Sequence, residues 1–279
     1  MSGNNQFIPV ITTAAGTCLT MANWKAAGVS QITFYLDELL MKPGLAFFEG
    51  MNVSLQSYCG WSGDIVLNLS SLQIKNDQIV IRSHYDGQII RIDLPVLAGL
   101  ISTLNPAYLV LPITNGSLEV LWRDLPASIK TISSSKENAD SRHHSSYLQF
   151  SDSQCFEAFY NIAQASKQPL YIAGRFNWQQ FQRLAQLPLH TLESDQPASD
   201  ALLGQVYTES LVLDIQDETM RDDHQPIDRN CGCEACRQGL TRAYFHHLLQ
   251  HTPLLCQRFL IQHNIHYCLH HLPEQQITI

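Results

Sequence analysis

Asn230-Cys231-Gly232-Cys233-Glu234-Ala235-Cys236-Arg237 decides how the rest of this chain is read. Three thiols fall within six residues, so disulfide pairing would leave one over, and a C-x-C pair is too tight for an unstrained bridge. The same three can converge on one soft cation, with Gly232 letting the backbone fold around it, because Zn²⁺ accepts thiolate and imidazole in a closed tetrahedron. Seven downstream histidines could supply the fourth donor: His246, His247, His251, His263, His266, His270 and His271. The competing reading is a set of buried free cysteines beside a polar helix. The spacing and the supply of histidines favour a structural zinc site.

Working outward, 279 residues at 45% apolar content suit one large α/β domain or two small ones, with a sizeable core. A formal net charge of −8 argues against a protein that coats nucleic acid, which needs a basic surface to neutralise phosphates, although a local basic patch remains compatible with it. Eight cysteines without a signal-peptide pattern predict reduced thiols and a cytoplasmic location. Cys18, Cys59, Cys155, Cys256 and Cys268 are scattered and read as small buried hydrophobes. No apolar run reaches the ~18 residues of a membrane span, so no membrane partner is expected.

Short apolar runs alternate with helical stretches along the chain. Strands are expected from residue 6, at Gln31–Leu36, Asp64–Asn68, Ala107–Leu111, Pro169–Ala173 and Leu211–Ile215. Gln78–Ser83 and Gln88–Asp93 read as a hairpin across Tyr85-Asp86-Gly87. Helices are expected near 21–28, 95–104, 152–166 and 177–186, and as a pair over 240–271 parted near Pro253. Residues 131–146, rich in Ser and His, have the composition of a flexible loop. The alternation favours a parallel α/β sheet or barrel; periodicity alone does not choose between them.

The segment from Cys231 onward resembles the zinc region of the tRNA-guanine transglycosylases (queuine tRNA-ribosyltransferases). There C-x-C-x-x-C is followed by S-R-A-Y-L-H-H-L and then by an I-H-N-L motif whose histidine completes the zinc site. This chain has Cys231-Gly-Cys-Glu-Ala-Cys236, Thr241-Arg-Ala-Tyr-Phe-His-His-Leu248 and Ile261-Gln-His-Asn-Ile265. The resemblance thus implies Cys231, Cys233, Cys236 and His263 as zinc ligands, and leaves His246 and His247 as packing or hydrogen-bonding residues. Weaker likenesses extend over the chain: Pro9–Thr17 to P-V-x-T-x-G-T, Lys42-Pro-Gly44 to R-P-G, Arg82–Gly87 to the S-H-x-D-G hairpin, and Asp223–Asp228 to D-x-x-P-L-D. The family fold is a (β/α)8 TIM-type barrel with a zinc subdomain near its C-terminal end. The expectation is one such barrel over 1–279, with the zinc-binding subdomain at 214–271. Barrels of this kind run to about 250 residues before any insert, so a trimmed barrel is expected, with the shortfall between 113 and 170.

The family exchanges a guanine in the tRNA anticodon loop for a 7-deazaguanine, using one aspartate as nucleophile, a second as acid/base and a third to recognise the purine. Aligned with its D-S-G-G-F-Q motif is Asn68-Leu-Ser-Ser-Leu-Gln73, which puts Asn68 at the acid/base position. A carboxamide does not titrate usefully there. Ile113 falls at the purine-recognising aspartate, leaving donors of a bound base unanswered at ~1–3 kcal/mol each. Gln73 and Gly174 are the remaining base-binding candidates. Leu192-Glu-Ser-Asp-Gln-Pro-Ala-Ser-Asp-Ala-Leu-Leu-Gly204 puts Glu193 at the nucleophile position, one methylene longer; Asp195, two residues on, would share a strand face with it. The two phosphate-gripping arginines align with Ser199 and Leu202, and Asp200 between them would repel phosphate.

These replacements point to a transglycosylase-like protein that keeps fold and zinc but has lost or altered base exchange, acting as a non-catalytic partner of an active transglycosylase-type subunit or binding tRNA weakly. The resemblance implies a dimer through the zinc region. One alternative is an active base-exchange glycosyltransferase with Glu193 as nucleophile and Asp64 or Asp86 as acid/base. The other is a zinc-stabilised protein-interaction module without a nucleic-acid ligand.

Overall fold

The computed structural model describes residues 6–112, 125–134, 143–188 and 190–271. Its strands, in chain order, are β1 (Gln6–Pro9), β2 (Gln31–Tyr35), β3 (Asp64–Asn68), β4 (Ile74–Lys75), β5 (Gln78–Arg82), β6 (Ile89–Asp93), β7 (Tyr108–Val110), β8 (Lys130–Ser133), β9 (His143–Gln149), β10 (Leu170–Ala173), β11 (His190–Ser194), β12 (Gln205–Tyr207) and β13 (Val212–Asp214). Eight of them join in one sheet in the order β1-β11-β10-β9-β8-β7-β3-β2. The chain's first strand pairs in parallel with its last barrel strand, Ile8 opposite Glu193, making a nearly closed parallel barrel. Strands covered on both faces need apolar residues at successive positions. Ile65, Val66 and Leu67 of β3 are accordingly buried one after another.

The helices are α1 (Met21–Ala26), α2 (Leu36–Leu39), α3 (Leu45–Glu49), α4 (Leu55–Cys59), α5 (Leu94–Leu104), α6 (Phe156–Ala165), α7 (Trp178–Ala185), α8 (Gln196–Leu202), α9 (Glu234–Arg237), α10 (Arg242–His251) and α11 (Pro253–His270). No helix among the described residues is long and apolar enough to cross a membrane.

Two compact units divide the chain: Met1–Ser30, Gln149–Ser166 and Ile172–Ile279 in one, Gln31–Leu148 with Lys167–Tyr171 in the other. In the second, α5 buries Leu97, Ile101 and Leu104, whose spacing of four and three keeps them on one face. β5 and β6 pair antiparallel with Arg82 opposite Ile89, and the turn closes through Ser83 N–H to the Gln88 carbonyl at 2.8 Å. This is the hairpin expected across residues 85–87.

Residues 131–146 differ from the flexible loop expected. Thr131–Ser133 finish β8 and His143–Ser146 begin β9, while 135–142 lie outside the described residues. Polar composition misleads here because short hydroxyl side chains can be buried in a covered sheet: Thr131, Ser133 and Ser145 are all buried. The backbone supplies the pairing, with Leu111 N–H donating to the Ile132 carbonyl at 2.9 Å and Ser146 N–H to that of Pro169 at 3.1 Å. Only residues 134–142 separate these parallel strands, fewer than the dozen or so a crossover usually takes. The chain saves length in a connection and keeps all eight strands.

In the first unit, Phe7, Ile8, Phe159, Phe176, Phe181 and Leu192 are buried. β11 was not among the strands read from periodicity, since His190-Thr-Leu-Glu-Ser194 has neither an apolar run nor strict alternation; only the resemblance implied a strand there, by giving Glu193 and Asp195 a shared face. The thiols divide too. Cys256 and Cys268 are buried as expected, but Cys18 and Cys155 are exposed and Cys59 is half-buried, so composition alone misplaced them.

Gly174 follows β10 where a side chain would not fit: a Cβ there would stand 2.9 Å from both Cβ and O of Phe150. Gly174→Ala should cost ~1–3 kcal/mol through this overlap, visible as a lower midpoint in thermal or urea unfolding.

Candidate metal centre and candidate catalytic positions

Cys231, Cys233, Cys236 and His263 come together, with their four ligand atoms within 4.8 Å of one another. Nδ1 of His263 lies 3.6, 3.4 and 3.5 Å from the sulfurs of Cys231, Cys233 and Cys236. A tetrahedron with bonds of ~2.0–2.3 Å has edges of about 3.6 Å, so the donor set fits a zinc ion in both chemistry and size.

Local structure makes the three sulfurs converge. Cys233 caps α9, its Sγ accepting the Cys236 N–H at 3.4 Å, and Cys231 Sγ accepts the Cys233 N–H at 3.4 Å. Such N–H donors favour thiolate over thiol. Hydrogen bonds from Cys231 and Cys236 hold the Cys233 thiol far below its ordinary range. Burial works to lower the His263 pKa, and the Cys233 and Cys236 sulfurs overcome it, holding the imidazole up at about 10. Contacts with Cys233 and Cys236 push the Cys231 thiol up, so the sulfurs compete for negative charge that a bound cation would let all three carry. Gly232 acts by fit, since it has no positive φ, whereas an added Cβ would meet His266 Nε2 at 3.3 Å.

His263 is fully buried on α11, and its Nε2 lies 2.7 Å from the Tyr207 carbonyl. A carbonyl can only accept, so Nε2 carries a proton, and Nδ1, facing the three sulfurs, is the nitrogen that would give up its own proton to a metal. The other histidines have other partners. His246 is buried, with Nδ1 2.9 Å from the Ile215 carbonyl and Nε2 beside Gln250. His266 stacks on His270 and His271 on Tyr267. His247 and His251, on α10, lie outside the four-donor group.

The loop entering the centre is tied by a residue to which sequence reasoning gave no role. Arg242, at the start of α10, donates through Nη1 to Asp223 Oδ2 (2.9 Å), Nε to the Pro226 carbonyl (3.1 Å) and Nη2 to the Ile227 carbonyl (3.1 Å). Its own backbone N–H adds a bond to the Gln225 carbonyl at 2.8 Å. The available signal was a guanidinium six residues past Cys236, able to satisfy several loop carbonyls in one plane.

In the second unit, Asn68 is buried at the C-terminal end of β3, the end where barrels place their chemistry, and its Oδ1 accepts the Ser70 N–H at 2.9 Å. Asp64 begins the same strand, four residues and ~13 Å away, so it does not substitute for Asn68. Asp86 is exposed in the β5–β6 turn, where it accepts the Gln88 N–H; hydrogen bonding from Ser83 and that N–H holds its carboxyl below the usual range. That is the opposite of what a general acid needs. Gln73 is exposed just before β4, and Ile113 lies outside the described residues.

In the other unit, Glu193 is 1% exposed within β11, and its carbonyl accepts the Gly174 N–H at 3.1 Å. Asp195 does not share its strand face as expected. β11 ends at Ser194, and Asp195 has turned into helical geometry as the cap residue of α8, with its carboxylate taking the Ser199 hydroxyl at 3.1 Å and lying 3.6 Å from Arg175 Nε. Asp200 also departs from expectation. It faces inward, accepting the Tyr207 hydroxyl and, at 2.6 Å, Gln196 Nε2, so it forms no surface charge opposing phosphate. Burial pushes the Tyr207 hydroxyl pKa up, which keeps it a donor. Ser199 and Leu202, at the arginine positions, are half-buried. A cleft of about 610 Å³ is lined by Trp178, Gln196, Asp200, Gln205, Leu211 and Asp214.

Comparison with known proteins points the same way. The family described as queuine tRNA-ribosyltransferase matches residues 151–276. A queuine tRNA-ribosyltransferase of Desulforapulum autotrophicum is 31% identical over 103 residues, 37% of this chain and 28% of that protein. One from Dinoroseobacter shibae is 38% identical over 71 residues, 25% and 19% of the two chains. One from Herminiimonas arsenicoxydans is 36% identical over 83 residues, 30% and 22%. The matched stretch thus spans less than a third of the length of these relatives.

Metal analysis of the purified protein should give one zinc per chain, lost in Cys236→Ser and His263→Ala. Arg242→Lys keeps a cation for Asp223 but gives up the planar fork to the carbonyls. It should release zinc to a chromogenic chelator about tenfold more readily than wild type.

Proposed function

We propose that this chain, a member of the queuine tRNA-ribosyltransferase family most legibly over 151–276, keeps that family's zinc-braced barrel and has lost or altered its base-exchange chemistry. Asn68 carries the reading. It occupies the end of β3 where the resemblance expects an acid/base aspartate, and a carboxamide engaged with the Ser70 N–H neither gives nor takes the purine proton. Glu193 takes the nucleophile's place with a longer side chain, and a displacement of about 1 Å in a reacting atom can cost ~10²-fold in rate.

In this reading zinc is structural. Three thiolates and one imidazole close its tetrahedron and leave no position for water or substrate, so when bound it supplies cross-linking and no bond-making chemistry. His263 holds the Nε2 proton on the Tyr207 carbonyl, and the three cysteines hold their sulfurs on the backbone N–H groups described above. The protein acts as a tRNA-associated or partner-associated subunit. Tyr244 at 45%, Leu254 at 77% and Leu255 at 42% exposure put apolar surface on the helix pair that includes the His263 helix, in favour of pairing through the zinc region.

A second reading is favoured by the burial of Glu193, an acidic group kept where a nucleophile would stand. Incubation with anticodon-bearing tRNA and labelled guanine separates the two. The favoured reading expects no incorporation above background for wild type and for Asn68→Asp, because the nucleophile remains misplaced. Incorporation at ordinary enzyme rates, abolished in Glu193→Gln, would establish the second reading in its stead. A complete absence of tRNA binding at low salt would leave the zinc-stabilised protein-interaction module.

A further inference from the structure

His263 is followed on α11 by Asn264, also fully buried, to which neither the zinc site nor the proposed chemistry assigns a part. Its side chain is completely satisfied in one orientation. Oδ1 accepts the Tyr207 N–H at 2.9 Å, while Nδ2 donates to the Pro197 carbonyl at 2.9 Å and the Gln205 carbonyl at 3.0 Å. Exchanging the amide's O and N would oppose like groups at all three contacts, which fixes the assignment.

These partners make a continuous path within one compact unit. Pro197 lies in the first turn of α8, the helix that follows Glu193 by one short turn. Gln205 and Tyr207 are the two ends of β12. Tyr207 is gripped from both sides by consecutive residues of α11: His263 takes its carbonyl and Asn264 its N–H. Its hydroxyl then donates to Asp200 on α8, whose other oxygen holds Gln196. Gln196, Asp200 and Gln205 line the 610 Å³ cleft.

We propose that Asn264 is a positioning residue, a strut through which the metal centre sets the first turn of α8, and with it the wall of this cleft and the strand end that carries Glu193. The inference rests on the metal reading of the Cys₃His group. Ligation fixes the rotation of α11 at His263; one residue on, that rotation aims three hydrogen bonds at α8 and β12. Losing Nδ2 leaves two carbonyls without this donor and frees the start of α8. Losing the metal lets the His263 end move and loosens the same contacts from the other side.

The test is hydrogen exchange by mass spectrometry on the zinc-loaded full chain, with zinc content measured in parallel. Asn264→Ala should keep one zinc per chain, with amides of 196–204 exchanging at least tenfold faster and those of α6 unchanged. Asn264→Asp keeps the acceptor for Tyr207 N–H and removes both donations, so it should give the same local acceleration if the alanine variant does not fold. Tyr207→Phe, which keeps its backbone contact to His263, should retain zinc and speed exchange over 200–204 only. Stripping zinc from wild type should accelerate 196–204; in the Asn264 variants stripping should add less than threefold. Unchanged exchange over 196–204 with zinc retained overturns the strut. So does zinc loss from both Asn264 variants, since the residue would then be holding the metal itself. Wild type purified without zinc would fail the metal reading first, and the proposal with it.

Discussion

The 2.7 Å contact between His263 Nε2 and the Tyr207 carbonyl is the constraint on which the C-terminal architecture turns. It fixes how the imidazole ring is turned, and with it which nitrogen faces the three sulfurs. It also settles which way α11 is turned, and α11 packs against α8, α10, β12 and β1. A residue that ligates at one nitrogen and braces at the other is doubly fixed, and its orientation is passed to everything its helix touches. Burial reinforces this, because no water can reach a fully enclosed imidazole to serve as a substitute partner.

The donors come from separate parts of the chain, and this is what gives the centre its structural weight. Cys231 and His263 are 32 residues apart. A cross-link closing a loop of about thirty residues withdraws roughly 3–4 kcal/mol of freedom from the unfolded chain in the chain-entropy account. The loop must still arrive in order, and here Arg242 matters. Its guanidinium satisfies two carbonyls and a carboxylate in the run just before Cys231, groups that would otherwise compete for the sulfurs' own N–H donors or fray into water. Backbone order supplied in advance lowers the entropic cost of binding the ion.

Residues with one strong chemical preference were the legible ones. Three cysteines at tight spacing announced the centre, and alternating strand and helix patterns announced the sheet. Proline at 253 placed the break between α10 and α11, because it suits the first turn of a helix and lacks the N–H that a helix interior needs. Polar segments inside the barrel were illegible. β8, β9 and β11 use Thr, Ser, His and Glu on buried positions, where backbone pairing to neighbouring strands decides the conformation and those neighbours lie tens of residues away. Asp195 and Asp200 were misjudged for a related reason. Whether a carboxylate faces solvent or a Tyr hydroxyl depends on where one strand stops, and strand ends are set by tertiary contacts that spacing does not encode.

In the proposed reading, the rim positions illustrate how a scaffold can part with chemistry at little cost to itself. At the end of β3 the fold asks residue 68 for one acceptor, to take the Ser70 N–H, and for a side chain small enough to be buried. Asparagine meets both demands as well as aspartate does, and without the expense of burying a charge. Reaction chemistry asks for something different at the same atom, a proton that comes and goes. Since the two demands are separable, a change that abolishes the second leaves the first intact. The metal centre has no such slack, because each of its four donors is at once the structural contact and the ligand.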